Sequence, residues 1–201
     1  PRAEQRQWVL DIRRGDSTRE ATDISAILQQ RTGLGPLAAL GDVKSLTYED
    51  RYIVRSAVAM WMLDRLLGLF RYADGAQGDV RCMEPSDNAG SLESSVEKIL
   101  RARMPPSNLD RATAKKFEEW CVRQSAGRKL RLNFKHRQPN ALGHQRRLEV
   151  SFQPGGKVSR LVALFDHGLD WVRPVDGRDT RPWTEQTMKA EGSHVVIMID
   201  P

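Results

Sequence analysis

The sequence predicts an α+β protein: an N-terminal helical region with a long central buried helix, followed by a mostly antiparallel β-sheet. Three observations predict it. From Tyr48 to Tyr72 apolar residues fill most of a helix's circumference with no proline and one glycine, Gly68. Past Gly127 the period of the pattern drops to two, with Leu130, Leu132 and Phe134 alternating against Arg131, Asn133 and Lys135. Residues 146–153 repeat that alternation with Leu148, Val150 and Phe152.

The elements follow in order. Residues 3–14, with Trp8, Val9 and Ile12 in a polar field, form a weak amphipathic helix ending at Gly15. Ser17 or Thr18 caps a second helix with Ile24, Ile27 and Leu28 as its stripe, stopped by Gly33, Gly35 and Pro36. Thr47 and Asp50 resemble a capping box for the long helix, in which Ile53, Val54, Trp61, Met62, Leu66 and Phe70 are core residues. Arg55, Asp64 and Arg65 interrupt every uncharged run well short of a membrane span. Residues 73–90, rich in Gly, Asp and Asn, are a loop. Ser91 opens a helix to about Met104, closed by Pro105 and Pro106. Ser107 with Asp110 opens another to about Ser125, with Gly127 as its left-handed stop.

In the second half, residues 129–136 and 146–153 pair as a hairpin across Gln138–His144. Residues 158–165 fit strand or helix spacing equally. Residues 169–173 and 194–199 are short strands, the last apolar enough to be central. The chain divides into a helical region, 1–127, and a β-rich region, 128–201, which could also be one continuous domain, and it shows no internal repeat.

Composition bounds the function. With 201 residues, 39% hydrophobic and 29% charged, the chain is neither a disordered tail nor a membrane protein. Cys82 and Cys121 have no CxxC spacing and are expected as reduced thiols, so no metal site and no disulfide framework is expected. The opening Pro-Arg-Ala-Glu-Gln-Arg has no apolar signal segment. An intracellular (cytoplasmic) or virion-associated protein is expected, and an organellar one is compatible.

Charge is where the sequence is most informative. The net charge of +6 hides an asymmetry: residues 101–160 hold fifteen Lys and Arg against four acids, an excess of eleven. The remainder of the chain is therefore acidic by five. On the expected hairpin, Arg131 and Lys135 share a face, and Arg128, Lys129, Arg137, Arg146 and Arg147 cluster near its ends, with Arg123 on the preceding helix. A polyanion backbone is bound by such a surface, each cation displacing counterions from phosphate, and arginine's planar fork grips phosphate bidentately. Phe134 and Phe152 alternate with these cations and so face the core, which argues for backbone contact without base stacking there. Trp171 and Trp183, beside Arg173 in the C-terminal part, have the composition of a protein interface.

Catalytic signals are thin. GxSxG, HExxH and P-loop patterns are missing, and Asp166, His167 and Asp170 are the one acid–base set. Residues 156–168 resemble a segment of phage tail-completion proteins over a dozen positions, a likeness that implies no site residue. The expectation is a non-enzymatic protein without cofactor that binds nucleic acid, with low sequence specificity, through a basic hairpin surface as part of a larger assembly. The alternative is a structural subunit of a virion, tail or other complex whose basic face and Trp/Arg-rich loops contact acidic partner subunits.

Overall fold

A computed structural model describes residues 6–12, 17–18, 40–85, 95–103, 105–144, 146–153, 159–169, 172–176, 178–186 and 188–200. In chain order its elements are β1 (Arg6–Ile12), β2 (Ser17–Thr18), β3 (Asp42–Glu49), α1 (Ala57–Leu67), β4 (Arg71–Met83), α2 (Val96–Leu100) and α3 (Arg111–Gly127). Then come β5 (Leu130–Arg137), β6 (Arg146–Phe152), β7 (Arg160–Phe165), β8 (Val172–Pro174), β9 (Met188–Ala190) and β10 (Ser193–Asp200). Seven strands form one sheet in the order β1-β10-β7-β6-β3-β4-β5, and β2-β9-β8 form a small antiparallel one. Strands β3, β4 and β5 are parallel and the other pairs of the large sheet antiparallel.

This mixed sheet corrects the helices-then-sheet architecture. Three of its strands, β1, β3 and β4, come from the region expected to be helical. Residues 6–12, within the helix expected at 3–14, form strand β1, which pairs with β10. The long helix from Tyr48 to Tyr72 is α1 alone, because Ser56 caps it by accepting the Ala59 N–H at 3.2 Å and β4 begins at Arg71. What stood as a loop at 73–90 is largely β4. Its inward residues Ala76, Gly78, Val80 and Cys82 alternate, but they are too small to register as an apolar stripe. Between the pairing of Val43 with Tyr72 and that of Ser45 with Gln77, β4 inserts four residues, 73–76, where β3 has one, Lys44; Gly75, at φ +77°, permits the excursion. The expected helix at 18–32 lies almost wholly outside the described residues.

The hairpin is corrected too. β5 pairs with β4, and β6 pairs with β3 and β7, so two strands stand between β5 and β6. Helix α3 is the cause. It returns the chain along the sheet, and a two-residue link in which Lys129 takes φ +69° sends β5 off parallel to β4. Gly127 is therefore the last helical residue and not the left-handed stop. Residues 160–165 resolve as strand β7, and β10 sits inside the sheet between β1 and β7.

One face of the sheet is the core face. Leu46, Tyr48, Val80, Leu130, Leu132, Leu148, Val150, Leu161, Phe165 and Ile197 pack there with α1 and α3. Nearly every residue of α1 is buried, with only Arg65 half-exposed. The opposite face presents Glu49, Asp79, Arg81, Arg131, Lys135, Arg147, Glu149 and Arg160, which the register sets side by side across β5, β4, β3, β6 and β7.

Candidate functional site

The fold distributes the eight expected polyanion contacts over three places and gives five of them acidic neighbours. Arg128 reaches down the start of β5 to Asp64 of α1 at 2.5 Å, where the carboxylate is buried. Burial opposes the charge of Arg128, but the hydrogen bond and charge of Asp64 outweigh it and hold the guanidinium above its ordinary pKa. Lys129 bonds Asp74 at 2.9 Å, which lowers the pKa of that carboxyl. Lys135 bonds Asp79 on the neighbouring strand at 2.6 Å. Arg147 and Arg160 share Glu149, at 2.9 and 2.5 Å. Arg146 lies 3.8 Å from the buried Asp50 and donates to the Asp166 carbonyl at 2.9 Å. Asp64, Asp74, Asp79 and Asp50 all lie outside residues 101–160, so much of the excess counted along the chain is matched in space.

Arg123, Arg131 and Arg137 are different. All three are exposed, and among the described residues none has an ion-pair partner; Lys115 is in the same condition. They sit on α3 and on β5, the outermost strand of the sheet. The helix runs back along that strand, so these cations border one edge of the molecule.

That edge ends in a cleft. At the carboxyl ends of β4 and β5, Met83, Glu84, His136, Arg137, Gln138 and Ala141 enclose about 440 Å³. Glu84 in its wall pairs with Arg111 at 3.1 Å, and the ring of His136 lies 2.8 Å from Glu118. Burial raises the pKa of Glu118, more than His136 lowers it. Beyond Gln138 the chain must cross the ends of β4 and β3 to reach β6. Arg51 holds this crossover down, donating from Nη2 to the Leu142 carbonyl at 3.1 Å, with Nη1 3.4 Å from Nε2 of His144. A second depression at the opposite end of the same strands, about 430 Å³, is lined by Asp42, Arg71, Arg128 and Lys129, whose charges pair among themselves and with Asp64 and Asp74.

The other expected sites look less like surfaces. Trp183 is buried and packs edge-to-face on Trp61, ring centroids 4.5 Å apart, with Arg65 over the Trp61 ring at 5.2 Å. Arg173 is exposed on β8, and Trp171 lies outside the described residues. Asp166 accepts the Ser193 hydroxyl at 2.8 Å and the His194 N–H at 2.9 Å, which joins the end of β7 to the start of β10; Asp170 lies outside the described residues. Cys82 and Cys121 are buried, and burial pushes both thiols well above their ordinary pKa. Among the described residues no cluster of three or more His, Cys, Asp or Glu could hold a metal ion, and no helix is long and apolar enough to cross a membrane. Sequence reasoning missed Asp64, Asp74, Asp79 and Arg51. Their partners lie 64, 55, 56 and 91 residues away, and no local pattern marks them.

Comparison with known proteins adds one firm result. No curated protein matches the chain. Among solved structures, the polyphosphate kinase of Porphyromonas gingivalis aligns over 97% of this chain, at 10% identity and a TM-score of 0.41, a likeness too slight to bear on function. This chain spans 23% of the length of that kinase. Residues 18–181, which include α3, β5 and the cleft, match the family described as the C-terminal domain of the DEAD/DEAH box helicase YjiV, and the chain belongs to that family.

Proposed function

We propose that this domain binds nucleic acid through its phosphate backbone, as a non-catalytic module, using the β5 edge. The observation that carries the reading is that Arg123, Arg131 and Arg137 remain exposed and unpaired on α3 and β5 while their basic neighbours are matched by acids. Unmatched arginines on one edge are what phosphate binding uses, because a cation already held by a carboxylate releases no counterion from the nucleic acid. Membership of a helicase-associated family supports nucleic acid over an acidic protein as the partner.

The test is the salt dependence of binding to a mixed-sequence oligonucleotide. Replacing Arg123, Arg131 and Arg137 together by Ala is expected to flatten the plot of log affinity against log salt by about 2 to 3. The melting temperature should stay near that of the wild type, since none of the three is buried. Arg147→Ala, which removes a cation already held by Glu149, should change the slope little. An unchanged slope in the triple variant sinks the reading.

A further inference from the structure

The cleft at the carboxyl ends of β4 and β5 has the chemistry of a nucleotide site, and we infer that it receives one unpaired nucleotide of a bound strand, so that the domain favours single strands over duplex. This rests on the proposed function, since the edge cations lead into the cleft and Arg137 belongs to both.

Four observations support it. The cleft lies outside the carboxyl ends of two adjacent parallel strands, β4 and β5. Its volume, about 440 Å³, falls in the range of small-molecule sites. Its walls divide by chemistry. Met83 and Ala141 are apolar, the His136 ring and the Arg137 guanidinium are flat groups on which a base stacks, and the Gln138 amide both donates and accepts at a base edge. The charge is also right for a phosphate. Arg111 answers Glu84, and Arg137 lines the cleft as an exposed cation with no ion-pair partner among the described residues. A duplex offers its phosphates to the β5 edge but keeps its bases stacked inside, so it cannot fill the cleft.

The experiment compares a mixed-sequence single strand with its duplex on the full chain, for the wild type, Ala141→Trp and Gln138→Ala. Ala141 and Gln138 are exposed, so both substitutions are compatible with the fold, and a thermal melt checks this. The wild type is expected to prefer the single strand by about tenfold, the value of one base stack. That preference should fall to about unity in Ala141→Trp, which fills the cleft, and should shrink in Gln138→Ala. If both variants keep the wild-type preference, or the wild type has none, the inference is overturned while backbone binding at the edge stands. If the wild type binds no oligonucleotide at all, the proposed function fails. The cleft is then judged alone by titration with adenosine monophosphate against inorganic phosphate, and the inference fails unless the nucleotide binds more tightly.

Discussion

His136 and Glu118 illustrate how a single contact changes the meaning of a residue. In the sequence His136 is a histidine at the end of a basic strand; in the fold it faces a largely buried carboxylate at 2.8 Å, beside the cleft. Burial raises the Glu118 pKa, against the lowering effects of His136 and Lys115 and with a further raising effect from Glu119. A carboxyl whose folded pKa is raised binds its proton more tightly in the folded state. Its stabilising contribution is full below the unfolded value and is lost as pH rises through the folded one. Glu118→Gln keeps an acceptor for the imidazole but cannot titrate. The wild type should therefore lose stability relative to Glu118→Gln as pH rises above the ordinary glutamate value of 4.5, measured by urea unfolding across that range. An unchanged difference at every pH contradicts the burial argument. Arg128 teaches the same lesson from the other side: assigned to a polyanion, it bonds a buried acid, Asp64, at 2.5 Å, and its work is structural.

At the scale of elements, β5 and β6 were readable because large apolar residues alternate with polar ones, and β10 because it is apolar almost throughout. β4 was missed because its inward residues are small, and β3 was missed although its inward Leu46 and Tyr48 are large. β4 lies between two parallel neighbours, and at Gly78 an added Cβ would come 3.0 Å from a Leu132 methyl and 3.2 Å from one of Leu130. The position is narrow because the flanking leucines fill it, and a narrow strand resembles a loop in composition. The start of α3 was legible to within one turn, whereas α1 begins at Ala57, well past the cap expected at Thr47. Ser107 and Asp110 both have cap chemistry, and the structure places the cap at Asp110, which accepts the Thr113 N–H at 2.6 Å from a buried position. Asp110→Ala is expected to cost about 1 to 2 kcal/mol. Ser107→Ala, at an exposed position before the helix, should stay within about 0.5 kcal/mol. Urea midpoints of the two variants decide between the caps; equal losses would mean that the capping bond at Asp110 contributes nothing.

For the whole molecule the governing fact is where charges of opposite sign meet. Residues 101–160 carry their excess of eleven along the chain, yet the parallel order β3-β4-β5 lays Asp79 against Lys135, and helix α1 brings Asp64 to Arg128. The acids thereby set how large the binding surface is. Asp79→Asn releases Lys135 on the open sheet face beside Arg131. If the β5 edge binds phosphate, affinity for an oligonucleotide should rise severalfold and the salt slope should steepen by about one. A titration at several salt concentrations reads both, and an unchanged slope would place the bound strand away from β5.

The sequence by itself determined the alternating strands β5 and β6, the apolar strand β10, the buried character of α1, and the concentration of cations in the middle of the chain. These are properties of periodicity and composition, carried by neighbours along the chain. Only the tertiary structure decided which strands pair, that β5 and β6 are separated by β3 and β4, and which cations stay unmatched. Backbone hydrogen bonds between strands are the same whichever strand supplies them, so pairing is chosen by how α1 and α3 pack on one face and where their ends deliver the chain. An ion pair likewise depends on a few ångströms in space between residues some sixty positions apart, a distance that no pattern in the sequence records.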